Sequence, residues 1–135
     1  MKPLSLTMTA FGTYKDTTVI DFAALGGEGI FLITGSTGAG KTTLVNLLMR
    51  FFDAICYALF GQTSSLRRGA KMLASDFAAV GTGPEVELVF RHRGQLYTIH
   101  RWQPCVHHRD GTVEMKNPKA TLLFPDGRLL DKLSA

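Results

Sequence analysis

Leu4, Leu6, Met8 and Ala10 alternate with Ser5, Thr7 and Thr9, which predicts a half-buried first strand. Phe11 to Asp16 reads as a turn, and Thr17 to Phe22 as a second strand paired with the first in a hairpin. Gly26-Gly27-Glu28-Gly29 breaks the pattern, and Ile30 to Thr34 follows as a short apolar run that reads as a buried strand. From Lys41 to Phe60 the period changes to that of a helix. Asn46, Arg50, Asp53 and Tyr57 fall on one line along it, and nearly everything else is apolar, so the helix is expected to be buried almost all round. Gly61 should end it. Gln62 to Gly69 reads as a polar loop and Lys71 to Phe77 as a short helix. After Gly81-Thr82-Gly83-Pro84, strands return. Val86, Leu88 and Phe90 alternate with Glu85, Glu87 and Val89, Arg93-Gly94 marks a turn, and Gln95 to Arg101 runs back. Leu122 to Phe124 leads into Pro125-Asp126-Gly127-Arg128, a hairpin turn.

Between the buried strand and the long helix stands Gly35-Ser36-Thr37-Gly38-Ala39-Gly40-Lys41-Thr42-Thr43, which fits the phosphate-binding pattern G-x-x-x-x-G-K-S/T. Strand, glycine loop and helix is the order that pattern requires. Gly35, Gly38 and Gly40 allow backbone conformations closed to other residues. The N–H groups from Gly38 to Thr43 would then converge at the positive end of a helix, where a polyphosphate fits. Lys41 would reach the β- and γ-phosphates, the Thr42 hydroxyl would hold Mg²⁺, and Thr43 would meet the α-phosphate. ATP and Mg²⁺ are the expected ligands. The competing reading is a glycine-rich turn with a capping threonine.

With 135 residues, 45% of them apolar and 19% charged, the chain is globular rather than disordered. Its net charge of +4 is a mild basic bias that barely separates a DNA-facing surface from an ordinary solvated one. Arg67, Arg68, Lys71, Arg91, Arg93, Arg101, Arg109, Lys116 and Lys119 carry most of it outside the helix. Cys56 lies in the apolar helix and Cys105 in what reads as a polar loop; no disulfide is expected, and a cytoplasmic, reducing setting fits. No signal peptide opens the chain, and Asn46, Arg50 and Asp53 argue against a membrane span over Leu44 to Phe60, so no membrane partner is expected.

Several blocks together resemble the start of the SbcC family. They are Met1 to Leu4, Ala10-Phe11-Gly12 with Tyr14, Ile20-Asp21-Phe22, Phe31 to Gly35, Phe52 to Gly61, and Lys71 to Ala78. The Phe52–Gly61 and Lys71–Ala78 blocks are more specific than the glycine loop. SbcC proteins are the ATPase part of a DNA double-strand-break repair and recombination exonuclease, akin to SMC proteins. The resemblance implies an α/β fold: a P-loop NTPase, the N-terminal lobe of an ABC-type head, with a mixed β-sheet packed on the P-loop helix. Residues 1–135 would be that lobe and an incomplete domain, the C-terminal lobe and coiled coil lying elsewhere. The implied partners are an SbcD-like nuclease, a second copy of the head in a homodimer, and double-stranded DNA.

The chain departs from that family's pattern in two places. Leu44 to Phe51 adds about seven residues to the helix, roughly two turns and about 10 Å of length. This stretch resembles the same helix of ABC exporters instead. The added length should either carry apolar side chains past the sheet into solvent or kink the first turns. The second departure is the absence of a Walker B Asp-Glu, a Leu-Ser-Gly-Gly signature, a glutamine loop and a switch histidine. Leu122 to Asp126 resembles Walker B only superficially, because Pro125 and Gly127 make it a turn. No catalytic residue is therefore assigned, and the chain alone is expected to bind nucleotide without turnover.

Fainter signals are a Cys105, His107, His108 group with His100 nearby, which matches no zinc spacing. Tyr97 and Trp102 offer rings that would stack a base or fill the strand packing. Tyr14 and Lys15 follow the first strand, and the resemblance to SMC-like heads, where this region lies near the nucleotide, implies a contact beside adenine. Three functional readings follow: the ATP-binding lobe of an SbcC-like repair ATPase; the nucleotide-binding domain of an ABC transporter; or a non-catalytic nucleotide- or DNA-binding module.

Overall fold

The computed structural model describes residues 1–24, 36–38, 41–63 and 81–131. Its frame is a six-stranded sheet in the order β2-β1-β3-β4-β7-β8. The strands are β1 (Lys2–Thr9), β2 (Thr18–Asp21), β3 (Glu85–His92), β4 (Gln95–Trp102), β7 (Lys119–Leu123) and β8 (Leu129–Asp131). Between β4 and β7 the chain makes a separate two-stranded ribbon from β5 (Cys105–His107) and β6 (Val113–Met115). A long helix, α1 (Lys41–Phe60), lies against β3 and β4.

The period-2 alternation explains the sheet. Leu6 of β1, Val86 and Leu88 of β3 and Ile99 of β4 stand on one face and are at most 4% exposed. Their register brings them side by side, with Leu6 opposite Leu88, Met8 opposite Val86, and Leu88 opposite Ile99. The expected hairpins are present. β1 pairs with β2, β3 returns into β4 through Arg93-Gly94 with both residues at positive φ, and β7 turns into β8 through Pro125 to Arg128. Every strand pair among the described residues is antiparallel, where the expectation was a mixed sheet. Short connections join three of the neighbouring pairs, β1–β2, β3–β4 and β7–β8, and hairpin connections of this kind give antiparallel pairs. The expected strand over residues 30–34, the polar loop after Thr63 and the short helix over 71–77 lie outside the described residues.

α1 has the expected bounds but not the expected burial. Ala54 and Ala58 are fully buried against the sheet, with Asp53 at 2% and Tyr57 at 1% exposure beside them. On the opposite side Met49, Phe52 and Phe60 are 49, 57 and 68% exposed. The helix is therefore not buried all round, because among the described elements the sheet covers it from one side only. α1 runs as helix from Lys41 to Phe60, and its exposed aromatic rings lie on the side away from the sheet. Gly61 ends the helix at φ +72, its N–H donating to the Tyr57 carbonyl at 2.8 Å, a backbone conformation open to glycine at little cost.

The ribbon corrects a second expectation. Cys105 lies in β5, buried and opposite Met115, and not in a polar loop. The ribbon's tip is tied by Asp110, whose carboxylate accepts from the Thr112 N–H and hydroxyl at 2.9 and 2.6 Å. Those bonds hold the Asp110 carboxyl below the usual range. At the base Gln103 donates its side-chain amide to the Lys116 carbonyl at 2.9 Å.

Candidate functional site

The glycine loop is described at Ser36, Thr37 and Gly38, all three exposed, and from Lys41 onward; Gly35, Ala39 and Gly40 lie outside the described residues. Gly38 has φ +87, and nothing stands within 4 Å of the place a Cβ would take. Backbone conformation, not crowding, is what asks for glycine there. Lys41, Thr42 and Thr43 are the first three residues of α1. Their backbone N–H groups belong to a helix end that lacks intrahelical acceptors. Twenty residues of aligned peptide dipoles stand behind them, and no acidic side chain occupies the first turn to compete for that positive end. The arrangement suits an anion.

The far half of α1 carries the charged and aromatic groups that hold it. Arg101, counted from the sequence among surface basic residues, is 4% exposed and donates from Nε to the Ala58 carbonyl at 3.1 Å. The pattern of β4 carried the signal: Tyr97, Ile99 and Arg101 share the apolar face. Burial lowers the Arg101 pKa while Tyr57 opposes that shift. Burial likewise pushes the Tyr57 hydroxyl up to about 12, against the pull of Arg101. The Tyr57 hydroxyl has no hydrogen-bond partner among the described residues.

Tyr14 does not stand at the glycine loop. Its ring stacks on Phe51 with centroids 6.2 Å apart, roughly 15 Å along the helix from Lys41. Burial raises its hydroxyl pKa, with Arg50 pulling the other way. Lys15 instead makes an exposed pair with Asp16 at 3.8 Å. One face of the ring is thus used in packing the turn onto α1.

The remaining candidates also resolve into packing. Tyr97 stacks on Phe90 with centroids 5.5 Å apart and meets Phe124 edge-on. Trp102 stacks on His100 at 4.6 Å, and His100 pairs with Glu85 at 2.7 Å on the face of the sheet away from α1. His108 faces Glu114 at 3.4 Å, and Lys116 meets the same carboxylate at 2.8 Å. Among the described residues no group of three His, Cys, Asp or Glu side chains could hold a metal. Cys56 and Cys105 are both free thiols. Asp126, the Walker B look-alike, accepts from the Arg128 N–H at 3.0 Å and Nε at 2.7 Å within its turn. Those bonds, the backbone one first, hold its carboxyl below the usual range.

Comparison with known proteins agrees with the SbcC resemblance. A family model described as an AAA domain matches residues 5–122. The SbcC component of the SbcCD nuclease of Vibrio cholerae is 38% identical over 125 residues, covering 91% of this chain and 12% of its own length. Its counterparts in Lactococcus lactis and Treponema pallidum, which bear the same name, are 43 and 40% identical over 75 and 81% of this chain. The chain spans about a tenth of the length of these relatives, 9 to 12%. They bear the name of a nuclease component and not of a transporter, so the ABC-transporter reading is not favoured. Among the described residues no helix is long and apolar enough to cross a membrane.

Proposed function

Because this chain belongs to the AAA-domain family, we propose that it is the ATP-binding N-terminal lobe of an SbcC-like, ABC-type ATPase head in DNA double-strand-break repair. The observation that carries this reading is the glycine loop delivered to the start of a twenty-residue helix, with Gly38 at positive φ. In this reading Gly35 to Thr43 wrap the phosphates of ATP. The backbone N–H groups of the loop and first helical turn supply fixed donors. Lys41 adds a mobile positive charge at the β- and γ-phosphates, and the Thr42 hydroxyl holds Mg²⁺, which offsets charge between those phosphates when bound.

This lobe binds and orients nucleotide. Hydrolysis belongs to a complete head, in which a second copy supplies the signature motif across a homodimer. An SbcD-like nuclease and double-stranded DNA are the further partners, and the setting is cytoplasmic. The names of the relatives and the two free thiols support that placement.

A Mg·ATP titration tests the proposal. Lys41→Ala removes a charged phosphate contact and should weaken binding at least tenfold, the factor that about 1.4 kcal/mol supplies. Equal affinity in the two proteins would overturn the assignment of the loop.

A further inference from the structure

α1 is a rod about 30 Å long with the glycine loop at one end and its grip on the sheet at the other. Among its described side chains, the buried ones, Asp53, Ala54, Tyr57 and Ala58, lie in the second half. A rigid rod carries a tilt at one end through to the other. A tilt of about 5° at the grip moves the start of the helix by about 2 Å, and displacements near 1 Å already matter at a binding site.

Arg101 stands at that grip. On β4 it lies between Val86 of β3 and Ala120 of β7, both buried, so its backbone is fixed from two sides. Its Nε–H meets the Ala58 carbonyl, one of the last four in the helix, which have no intrahelical donor. Its Nη1 would lie only 3.1 Å from a Cβ on Gly61, so the guanidinium fits into space that the terminal glycine leaves open. A cation placed there also faces the negative end of the helix.

We propose that Arg101 is a positioning residue that pins the far end of α1 to the centre of the sheet and thereby sets the position of the phosphate loop at the near end. The inference rests on the reading of that loop as a nucleotide site. The contact links the site to β4, whose next residues, through Gln103, carry the β5–β6 ribbon.

Two measurements on this chain test it, with Arg101→Met as the main variant and Arg101→Lys as the conservative one. Gly61→Ala crowds the guanidinium from the other side and serves should Arg101→Met fail to fold. At a temperature where circular dichroism shows the variants folded, Arg101→Met or Gly61→Ala should weaken Mg·ATP binding about fivefold, with part of the loss restored in Arg101→Lys. Amide hydrogen exchange without nucleotide should accelerate at both ends of α1, from Lys41 to Asn46 as well as from Tyr57 to Gly61. An unchanged affinity with only a lower melting temperature would overturn the proposal. So would acceleration confined to Tyr57–Gly61, since Arg101 would then be a local cap. Should the unmodified chain bind no Mg·ATP, the reading of the loop fails on its own, and the exchange pattern alone decides the role of Arg101.

Discussion

One face of α1 presents Asp53, Ala54, Tyr57 and Ala58 to the sheet, and the other presents Met49, Phe52 and Phe60 to solvent. By side-chain hydrophobicity the second face is the more apolar, yet it is the first that is buried. The difference lies in bulk. Ala54 and Ala58, one turn apart, leave room for the helix backbone to come down onto Val86, Leu88 and Ile99. The neighbouring polar side chains, Asp53 and Tyr57, are then carried into the core. Leaving Phe52 and Phe60 outside forgoes roughly 1.5–3 kcal/mol of burial for each ring. Exposed apolar surface of this kind favours association.

The contrast can be broken most severely from the sheet side. Ala58→Leu forces three more carbon atoms into the contact with the sheet and should cost about 2 kcal/mol or more, read from urea unfolding. A loss below about 0.5 kcal/mol would mean that the two faces are packed less differently than their exposures imply.

Tyr57 gives a subtler test. With no partner for its hydroxyl among the described residues, Tyr57→Phe should stabilise the fold by about 1 kcal/mol at neutral pH. The unfolded chain releases the tyrosine proton near pH 10, whereas the folded chain holds it to about pH 12. In that window the folded state binds more protons. The corresponding share of stability is therefore whole below pH 10 and is lost as pH climbs toward 12. Denaturant titrations across this range should show the decline in the parent chain and a flatter profile in Tyr57→Phe.

The smallest effect on stability is expected on the solvent face. Phe52→Gln together with Phe60→Gln should change unfolding by no more than about 0.5 kcal/mol. Light scattering should nonetheless show less self-association. A large loss of stability would reveal that the outer face is packed after all.

Elements written in local signals were legible in the sequence. The β1–β2 and β3–β4 hairpins follow from alternation and turn residues, α1 from its period and Gly61, and the β7–β8 turn from Pro125 to Gly127. The glycine loop stands out in the sequence because its motif is carried by consecutive residues. What depended on partners distant in sequence was not. Arg101 looked like a surface charge because Ala58, the group it serves, lies 43 residues away. Cys105 looked like a loop residue because β5 is three residues long and is defined only by pairing with β6. The choice of buried face on α1 was lost for the same reason. A helix that is apolar nearly all round does not say where its neighbour stands.

The pairing of β1 with β3 has a consequence for the order in which the molecule assembles. The β1–β2, β3–β4 and β7–β8 hairpins each join adjacent stretches and can zip up independently, whereas Thr9 meets Glu85 only after a long loop closes. The residues that receive α1 come from both sides of this late seam: Leu6 and Met8 from one, Val86, Leu88 and Ile99 from the other. The cradle for the helix is therefore unfinished until the seam shuts, and the leading end of the helix, where the proposed nucleotide site lies, is expected to take its place late in folding rather than to serve as its seed.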